Sequence, residues 1–346
     1  MGVIKQQILK VKETKHTEKC GRAVRRASEL YYRALIRKKF NAHPDIPSLQ
    51  KFLKSGIKEL HALHRQTHSA EVLYFLKYLE LDFFQNEKNF ALAQKKCVEL
   101  LEVIRKNVSV FTHQRIDYAC GNYAQCCMYL GEYSFALKLL KGLEYLIPYS
   151  LDWLESKEVE FRILFYQKKY AEAKRLLDIL QKKIPDDIEP IRLAKIKFFL
   201  SCVLLLQRDF KKTEAILHAN SELLKDKSGW AVSIRLVELM ALAEQNKKKE
   251  IIHAAKHLKK FIAYTVKNRL VSKRDELMLD LFLALSNLES KRMRKRIVRI
   301  QKILSVKKGE YAWDVFGHEI IRYDEWLGKF TKRQRPPVFI RTANAR

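Results

Sequence analysis

The sequence predicts an all-α protein, and three observations support this prediction. Only 10 of the 346 residues are glycine and 7 are proline, fewer than a turn-rich β architecture would contain. Hydrophobic residues make up 47% of the chain, which is enough to bury a core. An aromatic residue followed three positions later by a small residue recurs about every 40 residues, a period typical of stacked helix pairs.

This aromatic-small pattern marks four predicted helix hairpins. Successive aromatic residues are 43, 37 and 40 positions apart, and each follows a short polar turn that should end the first helix of its pair. The second helix is predicted to begin at the small residue, because apolar residues then recur at helical spacing. Pro148 and Pro185 are predicted to end two of the second helices. The four pairs are Phe90 and Ala93, Tyr133 and Ala136, Tyr170 and Ala173, and Phe210 and Thr213.

The best-formed of these segments resembles the tetratricopeptide repeat family. Its turn glycine, turn aromatic, small second-helix residue and terminal proline are Gly131, Tyr133, Ala136 and Pro148. In the next segment Lys168 stands in place of the glycine. The resemblance covers roughly residues 70 to 220, with looser helix pairs to about residue 290. It implies a right-handed α-solenoid of antiparallel helix pairs with a concave binding groove.

Three regions are predicted along the chain. Residues 1–68 form a basic helical N-terminal region, and residues 69–289 form the tetratricopeptide-repeat-like (TPR-like) helical repeats. Residues 290–346 form a basic helix and an aromatic-rich C-terminal helical cap, because terminal repeats need an atypical outer face. Breaks are predicted at "NAHPDIP" (41–47) and "KDKSGW" (225–230). The repeats followed by "HEIIRYDEWL" are also similar to bacterial helical-repeat proteins of unknown function.

No residue pattern predicts an enzyme or a cofactor. "HEIIR" (318–322) lacks the second histidine of the zinc pattern H-E-x-x-H, because Arg322 stands in its place. We interpret this segment as a polar face of a capping helix. The sequence contains no phosphate-binding loop and no G-x-G-x-x-G motif, so we expect a protein without catalytic residues.

Histidine and cysteine residues are not grouped as metal ligands usually are. His61, His64 and His68 share one predicted helix face, and His253 and His257 form a pair one turn apart. Structural zinc sites usually add cysteine or carboxylate ligands, so we interpret both sets as solvent-facing and expect no metal. The six cysteines are scattered without a C-x-x-C pair, which predicts reduced thiols.

The chain is expected to be cytoplasmic and not bound to a membrane. Its start is charged and lacks the apolar stretch of a secretory signal. The longest apolar run, "FFLSCVLLL" at 198–206, has less than half the length needed to span a bilayer.

A net charge of +29 is the one unusual bulk property. It favours polyanionic partners, although a solvated, solubilising surface would have the same composition. The segment 291–308 carries nine lysines and arginines and no acid, yet it also has an apolar stripe that predicts a docked helix. Residues 22–39 carry a second basic excess. The candidate phosphate contacts on the outer face of the C-terminal basic helix are Arg292, Lys295, Arg296, Arg299 and Lys302.

The family resemblance also implies which residues line the groove, because the first helix of each pair faces it. Carried over by position, the groove residues are Gln125, Tyr129, Glu158, Arg162, Tyr166 and Lys195. Glu158 stands where a clamp for a C-terminal carboxylate would need a cation, so a free C-terminus is not a favoured ligand.

Two functions from different classes follow from these features. The leading hypothesis is a non-enzymatic scaffold or adaptor that binds a protein or peptide in the concave groove. The alternative is a helical-repeat protein associated with RNA or DNA through its basic N-terminal and C-terminal helices. Self-association through the groove and a regulatory sensor without its effector domain are further possibilities.

Overall fold

A computed structural model describes nine ranges of the chain. These residues form sixteen α-helices and no β-strand, which confirms the all-α prediction. No helix among them is both long and apolar enough to cross a membrane. The covered ranges are 2–39, 46–143, 151–184, 190–225, 229–265, 271–284, 291–306, 309–315 and 317–333.

The chain divides into two compact units, Met1–Gln167 and Lys168–Arg346. In the first unit each helix packs against the next one along the chain, and α3 also packs against α1 and α7 against α5. The helices are α1 (Gly2–Lys39), α2 (Ile46–Thr67), α3 (Ala70–Asn86), α4 (Phe90–Lys106), α5 (His113–Leu130), α6 (Tyr133–Lys141) and α7 (Leu151–Tyr166).

The second unit is built in the same way, with most helices packed on their chain neighbours and with α12 against α9, α10 and α14 as well. The apolar run of α9 is its core, because residues 198–205 are all buried. The helices are α8 (Tyr170–Lys183), α9 (Pro190–Leu206), α10 (Phe210–His218), α11 (Ser221–Lys225), α12 (Trp230–Glu244), α13 (Lys248–Thr265), α14 (Lys273–Ala284), α15 (Lys291–Leu304) and α16 (Tyr323–Arg333).

The four second helices of the predicted hairpins are present, and each begins at the aromatic residue rather than at the small residue three positions later. Side chains of Asn89 and Asp209 cap two of them by accepting a hydrogen bond from the backbone N–H three residues later in the chain. These N-caps show that the helix begins before the small residue. The small residues keep their predicted role of close contact. Ala93, Ala136, Ala173 and Thr213 are each 0% exposed.

One turn geometry precedes five second helices. A residue with positive φ stands two positions before the start of α4, α6, α8, α10 and α13. Only one of the five is glycine, although the left-handed region costs other residues roughly 1–2 kcal/mol. The five residues are Lys88 (φ 56°), Gly131 (φ 80°), Lys168 (φ 62°), Arg208 (φ 68°) and Asn246 (φ 57°).

Backbone hydrogen bonds of the same type close four of these turns. In each, the N–H after the left-handed residue donates to the carbonyl five residues earlier, which is the Schellman arrangement at a helix C-terminus. Asn246 thus identifies a hairpin between α12 and α13 in which Lys248 and Ile251 replace the aromatic and the small residue. The four bonds join Asn89 to Phe84 (2.9 Å), Glu132 to Cys127 (2.8 Å), Asp209 to Leu204 (3.0 Å) and Lys247 to Leu242 (3.0 Å).

The predicted breaks lie where the helices end. Helix α1 ends at Lys39 and α2 begins at Ile46, and α11 ends at Lys225 before α12 begins at Trp230. Pro148 and Pro185 lie outside the described residues, and α6 already ends at Lys141.

The interpretation of "HEIIR" as a face of a capping helix is wrong. Residues 317–322 are not helical, and α16 begins at Tyr323. The His318 ring packs edge-on against Trp230, with ring centroids 4.5 Å apart, and Glu319 is buried. Both side chains therefore anchor an irregular segment to the core of the second unit.

Candidate functional site

The first helices of two successive hairpins, α3 and α5, meet along a row of aromatic and polar side chains. The Arg115 guanidinium lies 4.5 Å from the centre of the Tyr74 ring. The rings of Tyr78 and Tyr118 stack at 5.3 Å, and the Tyr78 hydroxyl donates to that of Tyr118. On α5, Tyr118 and Asn122 lie at helical spacing from Gln125 and Tyr129, the two residues of this helix that the family resemblance assigned to a groove.

Burial keeps these tyrosines neutral. It raises the pKa of Tyr78 well above the ordinary value, and it also raises that of Tyr118. Tyr31 of α1 packs edge-on against Tyr78 with ring centroids 4.5 Å apart. At the other end of the row, Gln85 donates to the side-chain oxygen of Asn122 at 3.1 Å. The row therefore holds three helices together, which is a structural role.

The predicted groove residues on α5 lie close to this row. Gln125 is half-buried. Tyr129 is half-buried too, and its ring stacks on Phe90 with a centroid distance of 3.4 Å and an interplanar angle of 8°. Tyr129 thus joins the end of α5 to the start of α4. The side chain of Gln125, unlike that of Tyr129, makes no hydrogen bond or ring contact with another described residue.

On α7 the structure corrects one groove assignment, because the Arg162 side chain is 1% exposed. Its Nη2 donates to Glu158 Oε1 at 2.8 Å and its Nη1 to the Tyr166 hydroxyl at 3.5 Å. Burial alone would lower the pKa of Arg162, but the Glu158 carboxylate raises it above the ordinary value. A buried cation needs such a partner, so Arg162 is a packed group and not a surface contact. Glu158 and Tyr166 remain half-buried.

The sixth predicted groove residue, Lys195, belongs to the second unit. It is half-buried on α9, and its ammonium lies 4.9 Å from the centre of the Trp230 ring. Trp230 begins α12, so this cation–π contact links the first helices of two neighbouring hairpins.

The amphipathic pattern predicted for the C-terminal basic helix is present in α15. Its stripe of Met293, Ile297, Ile300 and Leu304 is buried, whereas Lys295, Arg296, Arg299 and Lys302 are exposed. The side chain of Arg292 lies outside the described part of the chain. Helix α15 contains no Asp or Glu, so its exposed charges are all cationic, although the apolar Val298 is exposed beside them.

A second cationic face, on α13, escaped the sequence analysis. Its exposed residues recur at helical spacing and end in Tyr264, which is 84% exposed. Glu250 is the one exposed acid on the described part of this helix. The three- and four-residue spacing of these exposed residues could have predicted the face from the sequence. The sequence analysis used only the His253–His257 pair within it. The face consists of Lys249, His253, Lys256, His257, Lys260 and Tyr264.

A cleft of about 520 Å³ lies beside α13, between this helix and α10 and α12. Four of its polar groups, Glu214, His218, Glu238 and Lys247, pair with one another. Glu214 accepts from Gln245 at 2.6 Å and from Lys247 at 3.0 Å, and His218 lies 3.2 Å from Glu238. Although burial alone would raise it, the pKa of Glu214 is lowered by these two donors. The cleft therefore offers matched charges rather than an activated nucleophile.

The most strongly perturbed acids of the second unit lie at the C-terminal segment. Burial raises the pKa of Glu319 to about 7 and also raises that of Asp275. Tyr323 donates to Asp275 at 2.6 Å, and Arg274 donates to Glu319 through two nitrogens. These four side chains bond to one another and join α14 to the C-terminal segment. We call them the latch: Arg274, Asp275, Glu319 and Tyr323.

Among the side chains that the structure describes, no group of three or more His, Cys, Asp or Glu residues could hold a metal ion. His61 pairs with Glu80 at 3.1 Å, and His64 Nδ1 lies 3.2 Å from the Ser69 carbonyl. His68 lies beyond the end of α2 at Thr67, so the three histidines do not converge. Comparison of the sequence with models of known protein families and with curated proteins finds no match to either.

Proposed function

We propose that this chain is a non-enzymatic interaction protein, a scaffold or adaptor of TPR-like helix hairpins that binds a protein or peptide partner in the cytoplasm. The observation that supports the proposal is the turn geometry common to five hairpins, because regularly repeated hairpins stack into an extended surface that suits partner binding. The proposal includes a right-handed α-solenoid whose groove is lined by first helices.

Within that groove, Gln125 is the residue best placed to contact a partner. It is half-buried, whereas Tyr129 and Arg162 of the same predicted surface are engaged with Phe90 and Glu158. A partner would therefore be recognised next to these packed side chains rather than by them.

Affinity capture from the native cell tests the proposal, with the extract treated or not treated with nuclease. We expect protein partners that survive nuclease treatment and that are lost when Gln125→Arg introduces a bulky cation. Lys95→Glu, at an exposed position of α4, is the control and should leave capture unchanged. If no protein is retained at near-physiological salt, or if both variants behave alike, the groove proposal fails.

The second candidate function is association with RNA or DNA, and the exposed cations of α13 and α15 favour it. Clustered exposed cations bind phosphates by releasing counterions, and the exposed Tyr264 adds a ring on which a base can stack. Partners that disappear after nuclease treatment in the same capture experiment would support this second function.

A further inference from the structure

In the middle of the cationic face of α13, two imidazoles point their Nε2 atoms at each other. The Nε2 atoms of His253 and His257 are 3.1 Å apart, and the ring centroids are 4.4 Å apart. Both side chains are exposed. The pair lies one helical turn apart, so the backbone of α13 keeps the two side chains on one face and within reach of a shared ligand.

This separation suits two ligands of one metal ion. Imidazole nitrogens bind Zn²⁺ at about 2.0–2.1 Å, so two of them in adjacent positions of a tetrahedral or octahedral shell lie about 2.9–3.4 Å apart. We propose that His253 and His257 form a two-histidine site for a divalent transition-metal ion of the Zn²⁺ class.

The surroundings define what kind of site this is. Glu250, one turn before His253, lines the same cleft as His253, and its charge opposes the nearby cations of Lys249 and Lys256. These groups are exposed, so solvent and salt screen their effect on a bound ion. No third side chain among the described residues converges on the pair, and water completes the shell.

Ligand chemistry then predicts selectivity. Imidazole is a good ligand for Zn²⁺ and Cu²⁺, and Cu²⁺ binds a given nitrogen site more tightly than Zn²⁺ does. Mg²⁺ requires oxygen ligands, so it should not bind. The same 3.1 Å separation in the absence of metal is a hydrogen bond between one protonated and one unprotonated nitrogen.

Titration of the full chain with ZnCl₂, CuCl₂ and MgCl₂ tests the site, with histidine ring signals followed by NMR and affinity measured by calorimetry. We expect the ring signals of His253 and His257 to shift together with Zn²⁺, tighter binding of Cu²⁺ and none of Mg²⁺. His253→Ala and His257→Ala should each weaken Zn²⁺ binding at least about tenfold, because losing a ligand should cost no less than losing a residue that orients one. His257→Gln serves as a second variant that keeps a polar side chain.

His218→Ala is the matched control, because His218 lines the same cleft but lies against Glu238; it should bind Zn²⁺ as the unmodified chain does. Equal loss in this control would overturn the proposal, because the metal would then lie in the cleft. Zn²⁺ shifts confined to His16, whose Nε2 is 3.6 Å from the Cys20 thiol, would overturn it as well, as would undiminished binding in His257→Ala.

Discussion

Arg274 and Glu319 form a two-pronged ion pair in the core of the second unit, with Nε to Oε2 and Nη2 to Oε1 distances of 2.5 and 2.7 Å. The remaining guanidinium nitrogen donates to the carbonyls of Leu304 and Tyr311 at 2.6 Å each. One side chain of α14 thus binds the end of α15 and the irregular segment that follows it.

The ion pair predicts a large loss of stability when one partner is removed. Glu319→Ala removes the two-pronged carboxylate and leaves Asp324, at 3.5 Å, as the remaining described carboxylate beside the buried Arg274. This should lower the free energy of unfolding by about 3 kcal/mol, the lower end of the range for breaking a buried ion pair. Glu325→Gln is the control, because Glu325 pairs with Arg322 at 3.3 Å at a partly exposed position and should cost less than about 1 kcal/mol. Urea unfolding of the full chain measures both. Similar losses in the two variants would contradict the latch.

The turn at Gly131 predicts opposite effects for two glycine substitutions in one stretch of chain. Gly131→Ala places a side chain at φ 80° and should lower the free energy of unfolding by about 1 kcal/mol. Gly121→Ala lies inside α5, where an added Cβ meets nothing within 4 Å, and should raise it by about 1 kcal/mol. Thermal unfolding compares the two, and a change of the same sign in both would contradict the assigned turn.

Asp117 predicts a pH dependence of stability. Its side chain is 2% exposed and its Oδ2 has no hydrogen-bond partner among the described residues, so burial raises the pKa of its carboxyl above the ordinary value of 3.8. The folded state therefore holds the proton more tightly than the unfolded state. This contribution to stability is complete below the ordinary pKa and is lost as the pH rises through the folded pKa.

Asp117→Asn cannot ionise and removes this contribution. The free energy of unfolding of the variant, minus that of the unmodified chain, should therefore increase as the pH rises above about 4 and level off above the folded pKa. Urea titrations at several pH values measure this difference, in which groups common to both proteins cancel. A difference that is constant with pH would show that Asp117 titrates alike in the folded and unfolded chains.

The α15 face predicts a salt-dependent affinity for single-stranded RNA. If Lys295, Arg296, Arg299 and Lys302 each contact a phosphate, replacing all four by Glu should reduce the slope of log affinity against log salt by about 3. Glu substitutions at Lys51, Lys54, Lys58 and Lys138, which are exposed in the first unit, change the net charge equally and are the control. Fluorescence anisotropy at several salt concentrations measures the slope, and an equal reduction in the control would exclude a specific role for α15.

The sequence predicted those features of the fold that require a particular type of residue at a particular position. Close contact between helices requires a small side chain, so the burial of Ala136 and Ala173 could be predicted. The buried stripe of α15 could be predicted from the spacing of Met293, Ile297 and Ile300. The positive φ of Lys88 and Arg208 could not be predicted from residue type, because the two helices on either side of each residue impose it.

The candidate site was harder to predict than the fold. Glu158, Arg162 and Tyr166 do share one helix face, as their four-residue spacing predicted. Whether that face is open or covered depends on tertiary packing, which helical spacing alone does not reveal. The cationic face of α13 was encoded in its spacing and was overlooked because its lysines are separated by apolar residues that define the buried side.

The left-handed turns have a practical consequence for altering this protein. Since lysine, arginine and asparagine occupy a backbone conformation that glycine would adopt more easily, the helices dictate the geometry of each turn and long polar side chains are accommodated there. Positions such as Lys168 and Arg208, which are exposed, are therefore suitable for attaching fluorescent labels or cross-linkers. A probe at each hairpin tip would report on its motion while leaving the packed faces untouched.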